Sequence, residues 1–335
     1  MPWRRSMRES RRSTKRSTPK LKAPPRAPVR AMLSGSMHQG RTRSVLTVSP
    51  NPTALGRAKV DGQRRGQHHM SGGRTGLEAL LPGGRGVWVP IDHGASDWPV
   101  PGLQDVDGLV AALSEGGADA IVAQKGLISH LLRTDNAPAI GLVAHLSVST
   151  RHGGADAGEK VSVGDVEEAL ARGAHAVSAQ VNMGTPGEGR MIERLGAITG
   201  DAHRAGVPTL GMVYARGSNL SPMADDPTNG QAHAVRLAFE LGCNVAKATW
   251  SGSVEAFRHV TSAAPIPVLV AGGPRTDDDM ALLQMISGAM EAGAAGVCMG
   301  RQIFAHPHPT RLVRAIHAIV HQGATPEEAA HHLEA

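Results

Sequence analysis

Short apolar runs alternate with longer amphipathic segments along the chain from residue 86 almost to its end. The short runs are rich in Val, Ile, Leu and Ala and have the length of strands, whereas the longer segments have the length and pattern of amphipathic helices. Strands are predicted at residues 87–91, 120–123, 142–146, 176–181, 209–213, 244–248, 268–271 and 296–299. Helices are predicted at about residues 104–116, 164–172, 188–206, 229–242, 252–263, 276–292 and 309–321.

The predicted strands are almost continuously apolar, which is typical of parallel strands covered on both faces. Eight successive strand–helix units favour an α/β fold of the closed (β/α)8 type, a TIM barrel, over residues 76–335. An open doubly wound sheet is the alternative. Its first turn usually carries a glycine-rich fingerprint, and here the turn after the first strand has the sequence DHGASDWP.

Residues 1–75 differ sharply from the remainder in charge. They hold 14 Arg and 4 Lys against Glu9 and Asp61, a net charge of +16 in a chain whose total is +6, so the remainder is near −10. The segment is rich in Pro and Ser and shows no regular apolar period, which predicts a disordered leader. Three interpretations of it compete: a start codon assigned upstream of Met70, a transit peptide, or a tail that binds nucleic acid.

The acidic balance of the barrel region argues against nucleic-acid binding by the folded domain. No apolar run is long enough to span a bilayer, and no secretory signal is evident, so a soluble, cytoplasmic protein without membrane association is expected. Cys243 and Cys298 each lie alone in an apolar run, and the 17 His residues follow no metal-binding spacing. Buried core thiols and the absence of a metal site are therefore predicted.

Catalytic groups of a TIM barrel lie at or just beyond the C-terminal ends of its strands. The candidates found there, in chain order, are Asp92-His93-Gly94, Gln124-Lys125-Gly126, Gln180-Val181-Asn182, Tyr214-Ala215-Arg216-Gly217, Lys247, Gly272-Gly273 and Gly300-Arg301. The last two follow strands 7 and 8, whose loops commonly form a phosphate site with backbone N–H groups. Arg301 would add a forked cation, although the glycines could also serve only as tight turns.

The barrel region contains three lysines, Lys125, Lys160 and Lys247. Lys160 lies in the polar stretch GGADAGEK and is expected to be solvated, whereas the other two end apolar strands, where an ammonium is costly to desolvate. Such a lysine can lose its proton near neutral pH and attack a ketone. Lys247 is the better candidate because its strand neighbours those that supply Tyr214 and the phosphate loop; alternatively, it only pairs with a carboxylate such as Asp92.

Chemistry through an iminium needs a group that moves protons at the substrate. Tyr214, the only tyrosine of the chain, stands at a strand end next to Arg216, so it is a candidate for this role or else a rim aromatic that packs on a loop. Asp92 could accept a proton or hold substrate hydroxyls, or simply form a turn before Gly94. His93 is expected to brace the loop.

Several stretches strongly resemble 2-amino-3,7-dideoxy-D-threo-hept-6-ulosonate synthases and their relatives, from about residue 77 to the end. Those relatives include archaeal-type class I fructose-bisphosphate aldolases and an aldolase of aminohydroxybenzoate biosynthesis. The stretches are VPIDHGASDWPVPGL, GGADAIVAQKG, VEEALARGAHAVSAQVNMG, MVYARG, RLAFELGCNVAKATW, VLVAGGP and EAGAAGVCMGRQIF.

The resemblance implies that Lys247 is the Schiff-base lysine, Tyr214 the proton donor and Asp92 the proton acceptor. The substrate contacts it implies are His93, Gly94, Ala95, Ser96, Ala215, Arg216, Gly272, Gly273, Gly300 and Arg301. This chain departs from the family pattern at Ala215, Ala246, Ala248, Gln180 and Gln302, where Pro, Val, Thr, His and Asn are usual. These departures bear on the acceptor aldehyde rather than on the mechanism.

The expected reaction joins an enamine, formed from a phosphorylated ketose or diulose on Lys247, to an aldehyde such as aspartate semialdehyde, with neither metal nor organic cofactor. The resemblance also implies a homo-oligomer and a place in aromatic amino acid or aminohydroxybenzoate-type biosynthesis. The alternatives are fructose-bisphosphate cleavage and a phosphate-binding barrel enzyme without covalent lysine chemistry. A binding protein whose basic leader engages nucleic acid is the alternative outside the enzymes.

Overall fold

The computed structural model describes residues 76–133, 138–273 and 275–334, with only the backbone described for residues 155 and 156. The predicted leader, residues 1–75, lies outside these ranges. Within them, eight parallel strands close into a barrel. The barrel strands are β1 (Gly86–Pro90), β2 (Ala120–Ala123), β3 (Gly141–His145), β6 (Ala176–Met183), β7 (Thr209–Ala215), β8 (Val245–Thr249), β9 (Val268–Ala271) and β10 (Gly296–Cys298). A two-residue hairpin, β4 (Ser147–Val148) and β5 (Val161–Ser162), interrupts the sequence after β3.

One short helix precedes β1 at the N-terminal end of the barrel, and the other helices cover the outside of the barrel. In chain order the helices are α1 (Leu77–Leu80), α2 (Val106–Gly116), α3 (Lys125–Leu131), α4 (Val166–Ala171), α5 (Glu188–Ala205), α6 (Pro227–Glu240), α7 (Val254–Thr261), α8 (Asp279–Glu291), α9 (Arg301–Phe304), α10 (Pro309–His317) and α11 (Pro326–Glu334). A π-helical turn over Ala318–Gln322 extends α10. Side-chain oxygens of Asp105, Asp165 and Asp278 accept backbone N–H bonds at the starts of α2, α4 and α8, which fixes where these helices begin.

The TIM-barrel prediction is confirmed, and every predicted barrel strand is present with ends within two residues of those expected. The hairpin β4–β5 and the helices α1, α3, α9 and α11 were not predicted. Helix α3 spans only seven residues, and its N-cap residue Gln124 makes no side-chain capping bond. A segment this short, without a cap, carries little helical signal in its sequence.

The barrel interior is filled with side chains from all eight barrel strands, including Val122, Val143, Leu210 and Leu269. At the N-terminal end Trp88 is fully buried, and its ring N–H donates to the Leu80 carbonyl oxygen of α1 over 2.7 Å. A second, larger apolar layer lies between the strands and the outer helices. Because the lower barrel is packed, the open space lies at the C-terminal ends of the strands. No helix of the described part of the chain is long and apolar enough to cross a membrane.

Candidate active site

A cavity of about 520 Å³ opens at the C-terminal end of the barrel. Its lining comes from the ends of β1, β6, β7, β8, β9 and β10 and from the loop that contains β5. The polar and charged lining residues are Asp92, His93, Ser96, Lys160, Gln180, Tyr214, Arg216, Gln231, Lys247, Thr249, Cys298 and Arg301. Parallel strands bring residues from distant parts of the sequence to this one edge.

Lys247 projects from the middle of β8 into the barrel, where it pairs in register with Leu269. Its ammonium interacts electrostatically with the Tyr214 hydroxyl and with the Cys298 thiol. Alternation along the strand directs Val245 and Lys247 to the same side, and Val245 belongs to the packed barrel interior. Lys247 is therefore the charged group at the top of an apolar column.

The electrostatic surroundings of Lys247 favour its ammonium form. Burial by itself lowers the pKa of Lys247. The acidic groups of Cys298, Tyr214 and Asp92 oppose this and together raise that pKa above its ordinary value. The expectation that burial would free the amine near neutral pH is therefore wrong for the unliganded site. A neighbouring group must take the ammonium proton before the amine can attack a carbonyl.

Asp92 begins a short 3-10 turn directly after β1, and its side chain is 18 % exposed. His93 Nδ1 lies 3.5 Å from one carboxylate oxygen, and His145 Nε2 lies 3.7 Å from the other. Burial by itself raises the pKa of Asp92, but His145, His93 and Lys247 outweigh it and hold that pKa below its ordinary value. Asp92 is therefore an ionised carboxylate at neutral pH.

His145, at the end of β3, lies beneath Asp92 and is almost fully buried. Its Nδ1 lies 2.8 Å from the Ser178 hydroxyl and its Nε2 lies 3.3 Å from the Ser147 hydroxyl. Burial lowers the pKa of His145 below its ordinary value, with Asp92 opposing the shift. Ser147 in turn accepts a bond from the backbone N–H of Gln180 at 3.0 Å. This buried network holds the carboxylate of Asp92 from below.

Tyr214 and Arg216 form a stacked pair at the end of β7. The Arg216 guanidinium carbon lies 4.2 Å from the centre of the Tyr214 ring, a cation–π contact that orients both side chains. Tyr214 lies in register with Asn182 on β6. The ring is thereby fixed with its hydroxyl toward Lys247 and one face toward Arg216.

The glycines after β9 and β10 lie where a bound phosphate is expected. Gly273 has a φ of +67°, a conformation that other residues rarely adopt. A Cβ on Gly300 would lie 2.5 Å from the Pro90 carbonyl oxygen. Gln302 joins the two loops, since its side-chain amide donates to the Gly272 carbonyl at 2.9 Å and accepts from the Thr276 N–H at 3.1 Å. The unusual Gln302 thus braces the loop geometry.

Of the catalytic and substrate-contact residues that the resemblance implies, all but two line the cavity. Gly94 and Ala95 are exposed and do not line it. The strand-end lysine Lys125 is also outside the cavity, because it begins α3 and its Nζ lies 2.7 Å from a carboxylate oxygen of Glu168. His93 is packed edge-on to Phe304, with ring centres 5.1 Å apart, as a bracing role requires.

The expectation for Lys160 is wrong. Lys160 is not a solvated loop residue; it is half-buried and lines the cavity. Its backbone is fixed against α5, where its N–H lies 3.3 Å from the Met191 sulfur and its carbonyl accepts from Arg194 at 2.5 Å. Burial lowers the pKa of Lys160, Arg216 adds to this, and Asp92 opposes it. The polar residues around Lys160 in the sequence indicate that its side chain is exposed to solvent. In the structure, long-range contacts with α5 hold the loop over the open end of the barrel.

Charge is unbalanced in the cavity as a whole. Among the described lining residues, Lys160, Arg216, Lys247 and Arg301 are cations and Asp92 is the one carboxylate. Cys298, predicted to be a core thiol, is buried but also lines the cavity, and burial raises its pKa against the effect of Lys247. Over the described ranges, no group of three or more His, Cys, Asp or Glu residues is placed to hold a metal ion. The arrangement fits an anionic substrate that meets an amine, a phenol and a carboxylate.

Comparison with known proteins identifies the family. The DeoC/LacD family aldolase model matches residues 87–306, nearly all of the barrel. The chain belongs to this aldolase family. A 2-amino-3,7-dideoxy-D-threo-hept-6-ulosonate synthase of Halobacterium salinarum is 40 % identical over 76 % of this chain and 93 % of its own length. A 2-amino-4,5-dihydroxy-6-oxo-7-(phosphonooxy)heptanoate synthase of Streptomyces griseus is 38 % identical over 71 % of this chain and 85 % of its own length.

Solved aldolase structures show the same barrel. An archaeal fructose 1,6-bisphosphate aldolase superposes with a TM-score of 0.67 at 28 % identity, covering 74 % of this chain and 98 % of its own. A second archaeal fructose-1,6-bisphosphate aldolase, with its catalytic Lys covalently bound to the carbinolamine intermediate, gives a TM-score of 0.66 at 28 % identity, covering 73 % and 97 %. The resemblance found in the sequence is confirmed, and the protein is a class I, Schiff-base aldolase.

Reasoning from the sequence missed His145, which supports Asp92 from beneath the cavity, and misplaced Lys160, which lines it. His145 ends a barrel strand, so the strand-end rule that selected Asp92 and Tyr214 would also have found it in the stretch LVAH. Lys160 offered no comparable signal. Its place depends on ion pairs between a loop and a helix about 30 residues further along the chain.

Proposed function

We propose that Lys247 of this aldolase forms a Schiff base with a phosphorylated ketose and that the resulting enamine is joined to an aldehyde such as aspartate semialdehyde. The observation that carries the proposal is the contact of a buried lysine with a tyrosine hydroxyl, beside an ionised carboxylate, in a cavity bounded by two glycine loops. The proposed catalytic residues are Lys247, Tyr214 and Asp92.

The names of the relatives support this choice of products. Both describe seven-carbon chains that carry a 2-amino acid at one end and a 6-keto group near the other. In the Streptomyces product, hydroxyls at carbons 4 and 5 lie next to the keto group at carbon 6, the pattern that an aldol addition creates. Breaking the bond between carbons 4 and 5 gives a three-carbon keto phosphate and a four-carbon 2-amino aldehyde acid, which is aspartate semialdehyde.

The first step is addition of the Lys247 amine to the donor ketone. The ammonium first transfers its proton to an adjacent base, for which the ionised Asp92 carboxylate is the available group. The amine then adds to the carbonyl carbon, giving a carbinolamine. The protonated base returns its proton to the carbinolamine hydroxyl, which leaves as water, and an iminium cation remains. The iminium is an electron sink, because it accepts the pair released from the neighbouring carbon.

The second step breaks and forms bonds at the carbon next to the iminium carbon. Loss of a proton, or of an aldehyde by carbon–carbon cleavage, converts the iminium to a neutral enamine, and the Asp92 carboxylate takes the released proton. The enamine carbon then attacks the acceptor aldehyde, whose oxygen is protonated by Tyr214. Water finally hydrolyses the iminium and regenerates Lys247. The donor phosphate is held throughout by the loops of Gly272, Gly273 and Gly300 and by Arg301.

Borohydride trapping tests the covalent step. Borohydride added with dihydroxyacetone phosphate should reduce the iminium and fix the donor mass to one peptide, the one that contains Lys247. Lys247→Ala should abolish both trapping and turnover. Lys125→Ala is the matched control, since that lysine pairs with Glu168 outside the cavity, and it should leave both unchanged. Label on another lysine, or none in the active enzyme, would refute the assignment.

Fructose 1,6-bisphosphate cleavage is the second candidate, favoured by the likeness to the archaeal aldolase structures. It shares the phosphorylated donor and the Schiff base but has a phosphorylated aldehyde as product. Rates of fructose 1,6-bisphosphate cleavage should be compared with rates of joining dihydroxyacetone phosphate to aspartate semialdehyde. Faster cleavage, by kcat/KM, would assign the chain to the second candidate without changing the role of Lys247.

A further inference from the structure

The loop between β4 and β5 delivers a cation to the side of the cavity that faces the phosphate loops. In the closed barrel, β3 and β9 are four strands apart in either direction, so the loop after β3 lies diametrically opposite the loop after β9. Lys160, from the first of these loops, and Gly272 and Gly273, from the second, line the same cavity. A substrate anchored by phosphate on one side extends toward Lys160 on the other.

The loop holds Lys160 in place by contacts on both sides of its peptide. The Glu159 carboxylate is 15 % exposed and accepts from Arg190 Nε at 2.6 Å and from Arg194 Nη2 at 3.4 Å. Arg194 also donates to the Lys160 carbonyl, and the Lys160 N–H faces the Met191 sulfur. These contacts join the loop to one face of α5. Lys160 is thus presented to the cavity by a fixed backbone rather than by a free loop.

The charge of Lys160 is not neutralised by the protein. Among the described residues no carboxylate lies within ion-pairing distance of Lys160 or of Arg216, whereas Lys125 is paired with Glu168. Asp92 attracts Lys160 at longer range, and Arg216 repels it. Two cations held near each other at a cavity wall without a counter-ion leave room for an anion supplied by the ligand.

We infer that Lys160, with Arg216 beside it, binds an anionic group on the acceptor aldehyde and so sets the acceptor specificity of the enzyme. The inference rests on the proposed function, in which the donor phosphate occupies the opposite loops. The acceptor anion is a carboxylate in aspartate semialdehyde and a phosphate in glyceraldehyde 3-phosphate. Both aldehydes share the chemistry of a short chain with a reactive carbonyl at one end and an anion at the other.

The experiment compares Lys160→Met, which keeps the length of the aliphatic part and removes the charge, with wild type and with Lys125→Met as control. Each is assayed for addition of dihydroxyacetone phosphate to aspartate semialdehyde, glyceraldehyde 3-phosphate and the uncharged propanal. Lys160→Met should lower kcat/KM by about tenfold or more for anionic acceptors, the size of a lost charge-assisted contact, and by less than about twofold for propanal. The anionic aldehyde that suffers the larger loss identifies the source of the anion.

Two further readouts separate this inference from the proposed function. Borohydride trapping of the donor alone should be the same in Lys160→Met as in wild type, because Lys160 acts on the acceptor. Lys160→Arg should restore most of the preference for anionic acceptors, which a merely structural role would not predict. Equal losses for charged and uncharged aldehydes, with trapping intact, would overturn the inference alone. Absence of trapping in wild type would overturn the proposed function and the inference with it.

Discussion

Strand ends and a single loop bring charged groups into the cavity by different means. Asp92, Tyr214 and Lys247 lie on or next to barrel strands, whose positions follow from backbone pairing and a packed interior. Lys160 lies on a loop whose position follows from ion pairs to α5. Strands place groups at the reacting carbonyl, where small displacements matter most, and the loop places a group at the far end of the substrate. The groups proposed to carry out the reaction are thus held by the strands, and the group proposed to select the acceptor is held by the loop.

Removing the Tyr214 hydroxyl should cause the largest loss on the strand side among changes that keep the nucleophile. Tyr214→Phe keeps the ring beneath Arg216 and deletes only the proton-carrying group. Turnover should slow by about 10²–10⁴-fold, as loss of a general acid–base group does. Stopped-flow or steady-state assay of carbon–carbon bond formation measures this.

The same variant should still form some covalent adduct with the donor, since Lys247 is unchanged. Borohydride trapping followed by peptide mass analysis provides the control. If Tyr214→Phe turned over at the wild-type rate, the proton would have to travel by another group, with Asp92 the remaining candidate.

The sequence predicts the positions of the groups on the strands, whereas it does not predict the position of Lys160 on the loop. Near-continuous apolar runs specified the barrel, and the strand-end rule placed Asp92, Tyr214, Lys247 and the glycine loops at one edge without knowledge of any contact. The expectation that burial lowers the pKa of Lys247 toward neutrality is wrong, because Cys298, Tyr214 and Asp92 together outweigh the effect of burial. Such neighbours come from different strands and are known only once side chains are placed.

The loop between β4 and β5, by contrast, gives no signal in the sequence for where its side chains lie. The stretch GGADAGEK has the composition of a solvent-exposed turn, and no local pattern distinguishes Lys160 from a surface lysine. Two-residue strands are too short to show alternation, and Arg190 and Arg194 lie on a helix about 30 residues away in sequence. The position of Lys160 is decided by ion pairs between its loop and α5, which local sequence propensities do not predict.

A smaller effect is expected at the phosphate loops, where a side chain adds to backbone contacts. Arg301→Ala should raise KM for phosphorylated donors by about tenfold or more, because a charge-assisted contact is lost while the backbone N–H groups remain. Arg301→Lys, which keeps the charge without the fork, should fall between the two. Steady-state kinetics with dihydroxyacetone phosphate and with unphosphorylated dihydroxyacetone distinguish the cases. Equal effects on both donors would remove Arg301 from the phosphate site.

The smallest effect is expected from a substitution that weakens the contacts between the Lys160 loop and α5. Hydrogen bonds from Arg190 and Arg194 lower the pKa of Glu159 to about 2, so its carboxylate stays ionised through the whole neutral range and loses its charge only as pH falls toward that value. Glu159→Gln removes this charge at every pH and leaves Lys160 itself present. The resulting loss for anionic acceptors should be roughly two- to fivefold, the size expected of one solvent-screened ion pair. Propanal should react at the wild-type rate.

Glu240→Gln is the matched control, since Glu240 forms a surface ion pair with Arg236 on α6, away from the cavity. It should change neither acceptor preference nor turnover. If Glu159→Gln reduced activity with charged and uncharged acceptors alike, the loop would support the reacting groups and not only the far end of the substrate. The separation of chemistry from specificity would then fail. A loss confined to anionic acceptors, and smaller than that of Lys160→Met, would show that α5 acts on catalysis only through the place it gives Lys160.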